Sequence, residues 1–198
     1  MMDQAVLHAL ARWPNVPNAY GWLALDRRGN WSIRGERIAN RALTAFIGRN
    51  YGGDARGRWF FQNGPQRVFV SLACAPYVVR TEPSPNGLGL RTHTGALVEP
   101  TSAWLDEAGS VLLGVAGSVA LVHDRDLAEV LACLRQAAGP PLTDPQLEAL
   151  LADNASTDGV VLALGGSVHP VRRVHSTAMP RRFGFVPDPR PDPGEPEC

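Results

Sequence analysis

The segment Arg91-Thr92-His93-Thr94-Gly95 gathers polar donors around a histidine. A loop of this kind can line a small-molecule pocket, with Tyr20, Trp22 or Tyr77 as an apolar wall. The candidate binding residues are therefore His93, Arg91, Thr92, Tyr20, Trp22 and Tyr77. A second chemistry is open to the same histidine. Cys74 or Ser71 could serve as a nucleophile with His93 as base, and Asp106 or Asn86 could orient the ring. Cys74, however, stands in Leu-Ala-Cys-Ala-Pro and not at a helix N-terminus, so its surroundings are those of a core thiol.

Three other clusters have simpler accounts. Arg56, Arg58 and Arg67 alternate with Trp59, Phe60, Phe61 and Phe69, as in proteins that bind single-stranded nucleic acid on aromatic platforms. Zero net charge disfavours that reading, and arginines stacked over core rings explain the pattern. His169 and His175, with Cys198, match no metal-ligand spacing, so no metal site is assigned. His123-Asp124-Arg125-Asp126 is accounted for by acids capping a helix.

The composition narrows the field further. All 19 basic residues are arginine, which removes Schiff-base chemistry and the phosphate-binding lysines of nucleotide enzymes. They balance 19 acids, so no broad field drawing the chain to nucleic acid or anionic lipid is expected. No cofactor motif is present. Three cysteines without paired spacing, and an N-terminus lacking a basic signal region, point to a cytoplasmic protein. No apolar run approaches the ~20 residues needed to cross a bilayer.

The elements that must hold these residues centre on GRWFFQNGPQRVFVSLA, residues 57–73. Two apolar runs flank Asn63-Gly64-Pro65-Gln66 and predict a β-hairpin. A four-residue loop puts Phe61 opposite Val68, Trp59 opposite Val70 and Phe60 opposite Phe69. A hairpin apolar on both faces must be covered on both, which makes it an interior ribbon. Upstream, Asp3 can cap a first helix that Pro14 ends, Asp26-x-x-Gly29 closes a hairpin, and Asn40 caps a second helix. The first 80 residues read α-β-β-α-β-β.

Thr81–Gly87, with two prolines, is the best candidate for a boundary. Short strands follow at 88–93, 96–98, 103–105, 111–113 and 119–122. Asp124 then caps a helix carrying Leu127, Val130, Leu131 and Leu134, and Thr143-x-x-Gln146 is a capping box. A last hairpin turns at Gly165-Gly166. The expected class is α+β, with antiparallel hairpins and a meander against about four helices. The expected organisation is an N-terminal half over 1–82, a second half over 88–187, and an extended or disordered proline-rich tail over 188–198, or one compact domain. A hairpin followed by a helix recurs at 21–50 and 103–137. Trp22 stands seven residues before Gly29 and Trp104 five before Gly109, so a duplication and a shared turn rule account for it equally.

WPNVPNAYGWLALDRRGNW (13–31), FIGRNYGGDARGRWFFQNGPQRVFV (46–70) and RRFGFVPDP (181–189) together resemble a family of bacterial, mostly proteobacterial, proteins with no assigned function. The resemblance spans about Trp13 to Pro187. It implies a bacterial, cytoplasmic, full-length domain and transfers no catalytic residue. The resulting expectation is a non-enzymatic binding or accessory protein with a small-molecule or protein partner in an aromatic-lined groove. A hydrolase or transferase centred on His93, and a nucleic-acid binder using the Trp59 hairpin, are the alternatives.

Overall fold

The computed structural model describes residues 2–13, 16–85, 87–152 and 155–195. Pro14, the expected helix stop, Asn86, one of two alternatives for orienting the His93 ring, and Cys198, a member of the set that matches no metal spacing, lie outside them. The described residues form an α+β fold of five α-helices and two mixed, mostly antiparallel sheets. They divide into two compact units. The first comprises 1–76, 93–95 and 184–198, and the second 77–92 and 96–183.

In the first unit α1 (Gln4–Arg12) precedes β1 (Ala19–Leu25), β2 (Trp31–Ile33) and β3 (Glu36–Arg37). Then come α2 (Arg41–Arg49), β4 (Tyr51–Gly53), β5 (Trp59–Asn63) and β6 (Gln66–Leu72). Asp3 occupies the N-cap position of α1, but its carboxylate accepts from Arg49 Nε at 3.1 Å and makes no side-chain cap bond. A charge-assisted partner outcompetes a neutral amide there. Asn40 caps α2 as expected, accepting from the Leu43 amide.

The sheet order is β3-β2-β1-β6-β5-β4, with β1 and β6 parallel at its centre. The hairpin register is the expected one, Phe60 opposite Phe69 and Phe61 opposite Val68. Its ladder runs one pair further than predicted, to Asn63 and Gln66, so the loop is the two residues Gly64-Pro65 and not four. Gly64 has φ +57°, and Pro follows with no N–H to offer, a combination suited to a type II′ turn. Trp59, Phe60, Phe61 and Phe69 are all buried. Arg58 and Arg67 lie over Phe69 and Phe60, each 4.6 Å from the ring centre. The arginine–aromatic alternation is thus used for packing.

The second unit contains β7 (Tyr77–Ser84), β8 (Gly87–Thr92), β9 (Leu97–Val98), β10 (Ser102–Leu105), β11 (Val111–Val115) and β12 (Ser118–Val122). After a 3-10 turn at Asp124–Asp126 come α3 (Leu127–Leu131), β13 (Leu134–Gln136) and α4 (Asp144–Leu151). β14 (Val160–Leu164), β15 (Ser167–Arg173) and α5 (Met179–Phe183) complete it. Within Thr81–Gly87, Thr81–Ser84 lies in β7 and Gly87 opens β8, with Pro83 opposite Leu88. β12 pairs with β7 only over Tyr77–Val79, so Pro83 sits on an edge where its missing N–H breaks no ladder bond.

The helix expected over 124–137 is shortened. His123, not Asp124, caps its first turn through Nδ1, and Leu134 leaves the helix to pair with Leu162. Asp126 is taken by the Arg80 guanidinium and accepts from the Thr81 amide at 3.0 Å. The capping box at Thr143 forms, with Gln146 Oε1 accepting from the Thr143 amide.

α5 has no counterpart in the sequence reading. Phe183 meets Trp104 edge-on at 4.8 Å, and Glu107 holds the preceding turn by accepting from the Ser176 hydroxyl and amide. Those hydrogen bonds lower the Glu107 carboxyl from its ordinary 4.5 to about 2. A depressed carboxylate contributes stability above its unfolded pKa and loses it as pH falls through the folded one. The Tm of the native chain is therefore expected to fall between pH 4.5 and 2. Glu107→Gln should flatten part of that fall, and superimposable Tm profiles would refute this role.

The two units share one plan. The second sheet is ordered β9-β8-β7-β12-β11-β10-β15-β14-β13, and from β12 onward it repeats the order β3-β2-β1-β6-β5-β4, with β10 and β15 also parallel. The pairings align position by position. Leu23 and Val70 correspond to Ala103 and Val171, and Tyr51 and Phe61 to Leu134 and Leu162. Asp26 Oδ1 accepts from the amides of Arg28 and Asn30, and Asp106 Oδ1 from those of Ala108 and Ser110. Ala73 donates to Leu25, and Val174 to Leu105. Such agreement in register exceeds what a common turn rule requires. The tryptophans fall out of step because Trp104 aligns with Ala24, not with Trp22.

Candidate functional site

His93–Gly95 belongs by its packing to the first unit. There it forms one wall of a cleft of about 640 Å³ lined also by Asn30, Trp31, Arg37, Arg41 and Thr44. Three elements build it. The Asp26–Gly29 turn sets Asn30 and Trp31, the end of β3 brings Arg37, and the first turn of α2 brings Arg41 and Thr44. Gly48 lets α2 lie close, since a Cβ there would stand 3.1 Å from Thr94 Cα.

The floor is aromatic. Trp31 forms it, with the His93 ring 5.2 Å away, and behind this lining Tyr51 lies 5.6 Å from His93 and 5.0 Å from Trp59. The rim is cationic. Arg37 Nη2 donates to Asn30 Oδ1 at 2.6 Å, and Asn30 Nδ2 donates to Asp26 Oδ2 at 2.8 Å. Burial raises the Asp26 carboxyl, but bonds from Asn30 and the Arg28 amide, with the charge of Arg37, hold it below its usual range. Asp26 thus stays ionised and orients Asn30, which orients Arg37. The residues lining the cleft include two arginines and a histidine and no carboxylate. Such a rim attracts anions.

The sequence-predicted site residues are dispersed. Tyr20 and Trp22, two apart on β1, would share a face of a regular strand. The pairing of β1 with β6 shifts register between Ala19 and Leu23, where Gly21 has φ +70°. Tyr20 consequently stacks on Phe69 at 4.6 Å, beside Phe60. Trp22 instead lines an apolar groove of about 370 Å³ with Leu23, Ile33 and Phe61, under the guanidinium of Arg34. Thr92, Arg91 and Tyr77 belong to the second unit. Thr92 is buried and its Oγ1 accepts from the Ala96 amide, Arg91 pairs with Glu82 at 2.7 Å, and Tyr77 packs against the core. His93 is the predicted residue that lines the cleft.

The other constellations are also resolved into contacts. Ser71 Oγ donates to Asp188 at 2.9 Å. Cys74 is half-buried, and Asp106 is committed to its own turn in the second unit. His169 Nε2 bonds Ser167 Oγ, and His175 Nδ1 bonds Thr177 Oγ1. Among the described residues no cluster of three His, Cys, Asp or Glu is placed to hold a metal ion. Among them, too, no helix is long and apolar enough to cross a membrane.

Sequence reasoning missed Trp31, Arg37, Arg41 and Tyr51. The Asp-x-x-Gly turn was visible beside Trp31, but only the hairpin register and the path of α2 bring these side chains to His93.

No curated protein matches the chain. Among solved structures, a DUF1285 family protein from Silicibacter pomeroyi DSS-3 is similar with a TM-score of 0.52 at 18% identity, over 81% of this chain and 85% of that one. That likeness extends to the fold alone. A DUF1285 family protein from Shewanella baltica OS155 aligns at a TM-score of 0.44 and 18% identity, over 58% of this chain and 90% of its own. A family model described as a protein of unknown function (DUF2946) matches residues 2–190, and the chain belongs to that family.

Proposed function

We propose that this is a non-enzymatic binding or accessory protein whose first unit takes a small organic anion in the His93 cleft. The observation that carries the reading is the convergence of Arg37, Arg41 and His93 on a concave site floored by Trp31, with no carboxylate in its lining. A planar or aliphatic body would lie on the tryptophan. Its carboxylate or phosphate would face the arginine fork, which suits bidentate anions.

Thermal-shift titration with a panel of organic carboxylates and phosphate esters tests it. A ligand at 100 times its Kd adds about 2.7 kcal/mol, a shift of roughly 5–10 °C for a chain of this size. The expected result is a shift from at least one anion, weakened about tenfold or more by Arg37→Ala or Arg41→Ala. No shift across the panel, or equal shifts in native and variant chains, would overturn the reading.

A further inference from the structure

The C-terminal segment of the first unit ends in a built turn. In Asp192-Pro193-Gly194-Glu195 the Glu195 amide donates to the Asp192 carbonyl at 2.9 Å, and Gly194 has φ +83°. Proline second and glycine third are the residues a type II turn demands. The turn sets two carboxylates side by side.

Both are received by polar groups from far away in the chain. Arg56 forks onto Asp192, with Nη2 to Oδ1 at 2.8 Å and Nη1 to Oδ2, while Arg58 Nη1 lies 3.5 Å from the same Oδ2. Glu195 Oε1 accepts from the Tyr20 hydroxyl at 2.7 Å and from Asn18 Nδ2. Its Oε2 accepts from the Asp192 amide at 3.0 Å and lies 3.8 Å from Arg58.

Two of these receiving groups, Arg58 and Tyr20, are held in place independently of the turn. Arg58 Nε donates to Asp54 Oδ2 at 2.8 Å, its guanidinium lies over Phe69, and Phe69 stacks on Tyr20. Asp54 in turn accepts from the Arg56 and Arg58 amides. The occupant is held differently. As far as Pro189, which is buried, the segment is anchored by backbone bonds from Leu72 to Pro187 and from Val186 to Gly57. Beyond it the contacts are chiefly charged and polar. Partly exposed ion pairs contribute about 0–1 kcal/mol each and are screened by salt, so such an occupant can exchange.

We infer that Asn18, Tyr20, Arg56 and Arg58 form a receptor site for an acidic peptide turn of the form Asp-x-x-Glu, which the chain's own C-terminal segment fills. An acidic peptide segment of another protein would enter by displacing that turn. The site is separate from the His93 cleft, with which it shares no residue.

The test uses the full-length chain. Asp192→Asn combined with Glu195→Gln removes both charges and leaves Pro193 and Gly194 to keep the turn. A fluorescently labelled peptide with the sequence of residues 188–195 is the probe. It should bind this double variant at least tenfold more tightly than the native chain, weaken with salt, and lose the gain when Arg58→Gln is added. Equal binding to variant and native chain, or none to either, overturns the inference. So does an oligothymidylate that binds the double variant where the peptide does not. A second readout needs no ligand. Burial and the neighbouring Glu195 push the Tyr20 phenol up to about 12. Titration followed at 295 nm should show that ionisation moving down towards 10 in Glu195→Gln, and an unchanged curve refutes the docking.

Discussion

Phe69→Ala is expected to destabilise the first unit by about 3–5 kcal/mol, the range for truncating a fully buried aromatic. The ring is 1% exposed. It stacks on Tyr20 with 10° between planes, meets Phe60 at 5.8 Å and lies under Arg58. Aromatic pairs of this geometry contribute roughly 0.5–1.5 kcal/mol beyond area burial, so part of the loss is specific to the ring. Phe69→Leu keeps most of the volume and should cost less than about 1.5 kcal/mol if the cavity dominates. Leu97→Ala, at a side chain 64% exposed, should stay within about 0.5 kcal/mol. Urea denaturation followed by tryptophan fluorescence measures all three, because Trp13, Trp22, Trp31 and Trp59 lie in the first unit with Phe69 and Trp104 in the second with Leu97. A loss under about 1 kcal/mol for Phe69→Ala would contradict an interior ribbon.

Gly57→Ala is expected to release the C-terminal segment at a greater cost than any other glycine substitution in the first unit. A Cβ at Gly57 would stand 2.2 Å from the Gly184 carbonyl oxygen, a backbone atom that cannot rotate away. The substitution also strains a φ of +77° and threatens the bond from the Val186 amide to the Gly57 carbonyl. Gly21→Ala is the matched control. Its φ is +70°, but nothing lies within 4 Å of the added methyl. Left-handed strain of about 1–2 kcal/mol is common to both. The difference between the two variants therefore isolates the collision. Hydrogen exchange should show the Leu72 and Val186 amides, which bond Pro187 and Gly57, losing protection in Gly57→Ala and keeping it in Gly21→Ala. Retained protection in both would refute the close approach.

The second of these effects shows why the tail was hard to read. VPDPRPDPGEPEC has five prolines and no periodicity, so local rules predict only an extended or disordered stretch. The placement of its described residues, up to Glu195, depends on Gly57 lacking a side chain and on a fork of arginines more than a hundred residues upstream. Neither condition is written in the tail itself. The recurrence of one strand plan is similar. The repeated Asp-x-x-Gly was visible, but its meaning rests on which strands pair, since Ala103 occupies in the second sheet the position of Leu23 in the first. Unlike side chains at matched positions hide a common plan from any reading of residue types.

The candidate cleft divides in the same way. His93 stood out as a polar histidine in a loop, and the aromatic hairpin announced itself by two apolar runs and turn chemistry. Tyr20 and Trp22 were placed together because a regular strand puts alternate residues on one face. One left-handed glycine between them sends the first to Phe69 and the second to Phe61.

What the amino-acid order determined by itself was everything carried by near neighbours. Short apolar runs set the strands, Asp-x-x-Gly and Asn-Gly-Pro-Gln set their turns, and Asn40 and Thr143 set two helix starts. Tertiary structure alone decided which aromatic surrounds His93, where Arg37 and Arg41 point, and what covers Arg58. Those outcomes depend on strand order, on a bulge, and on backbones that approach across long sequence distances, and interactions of that range leave no periodic mark on the chain.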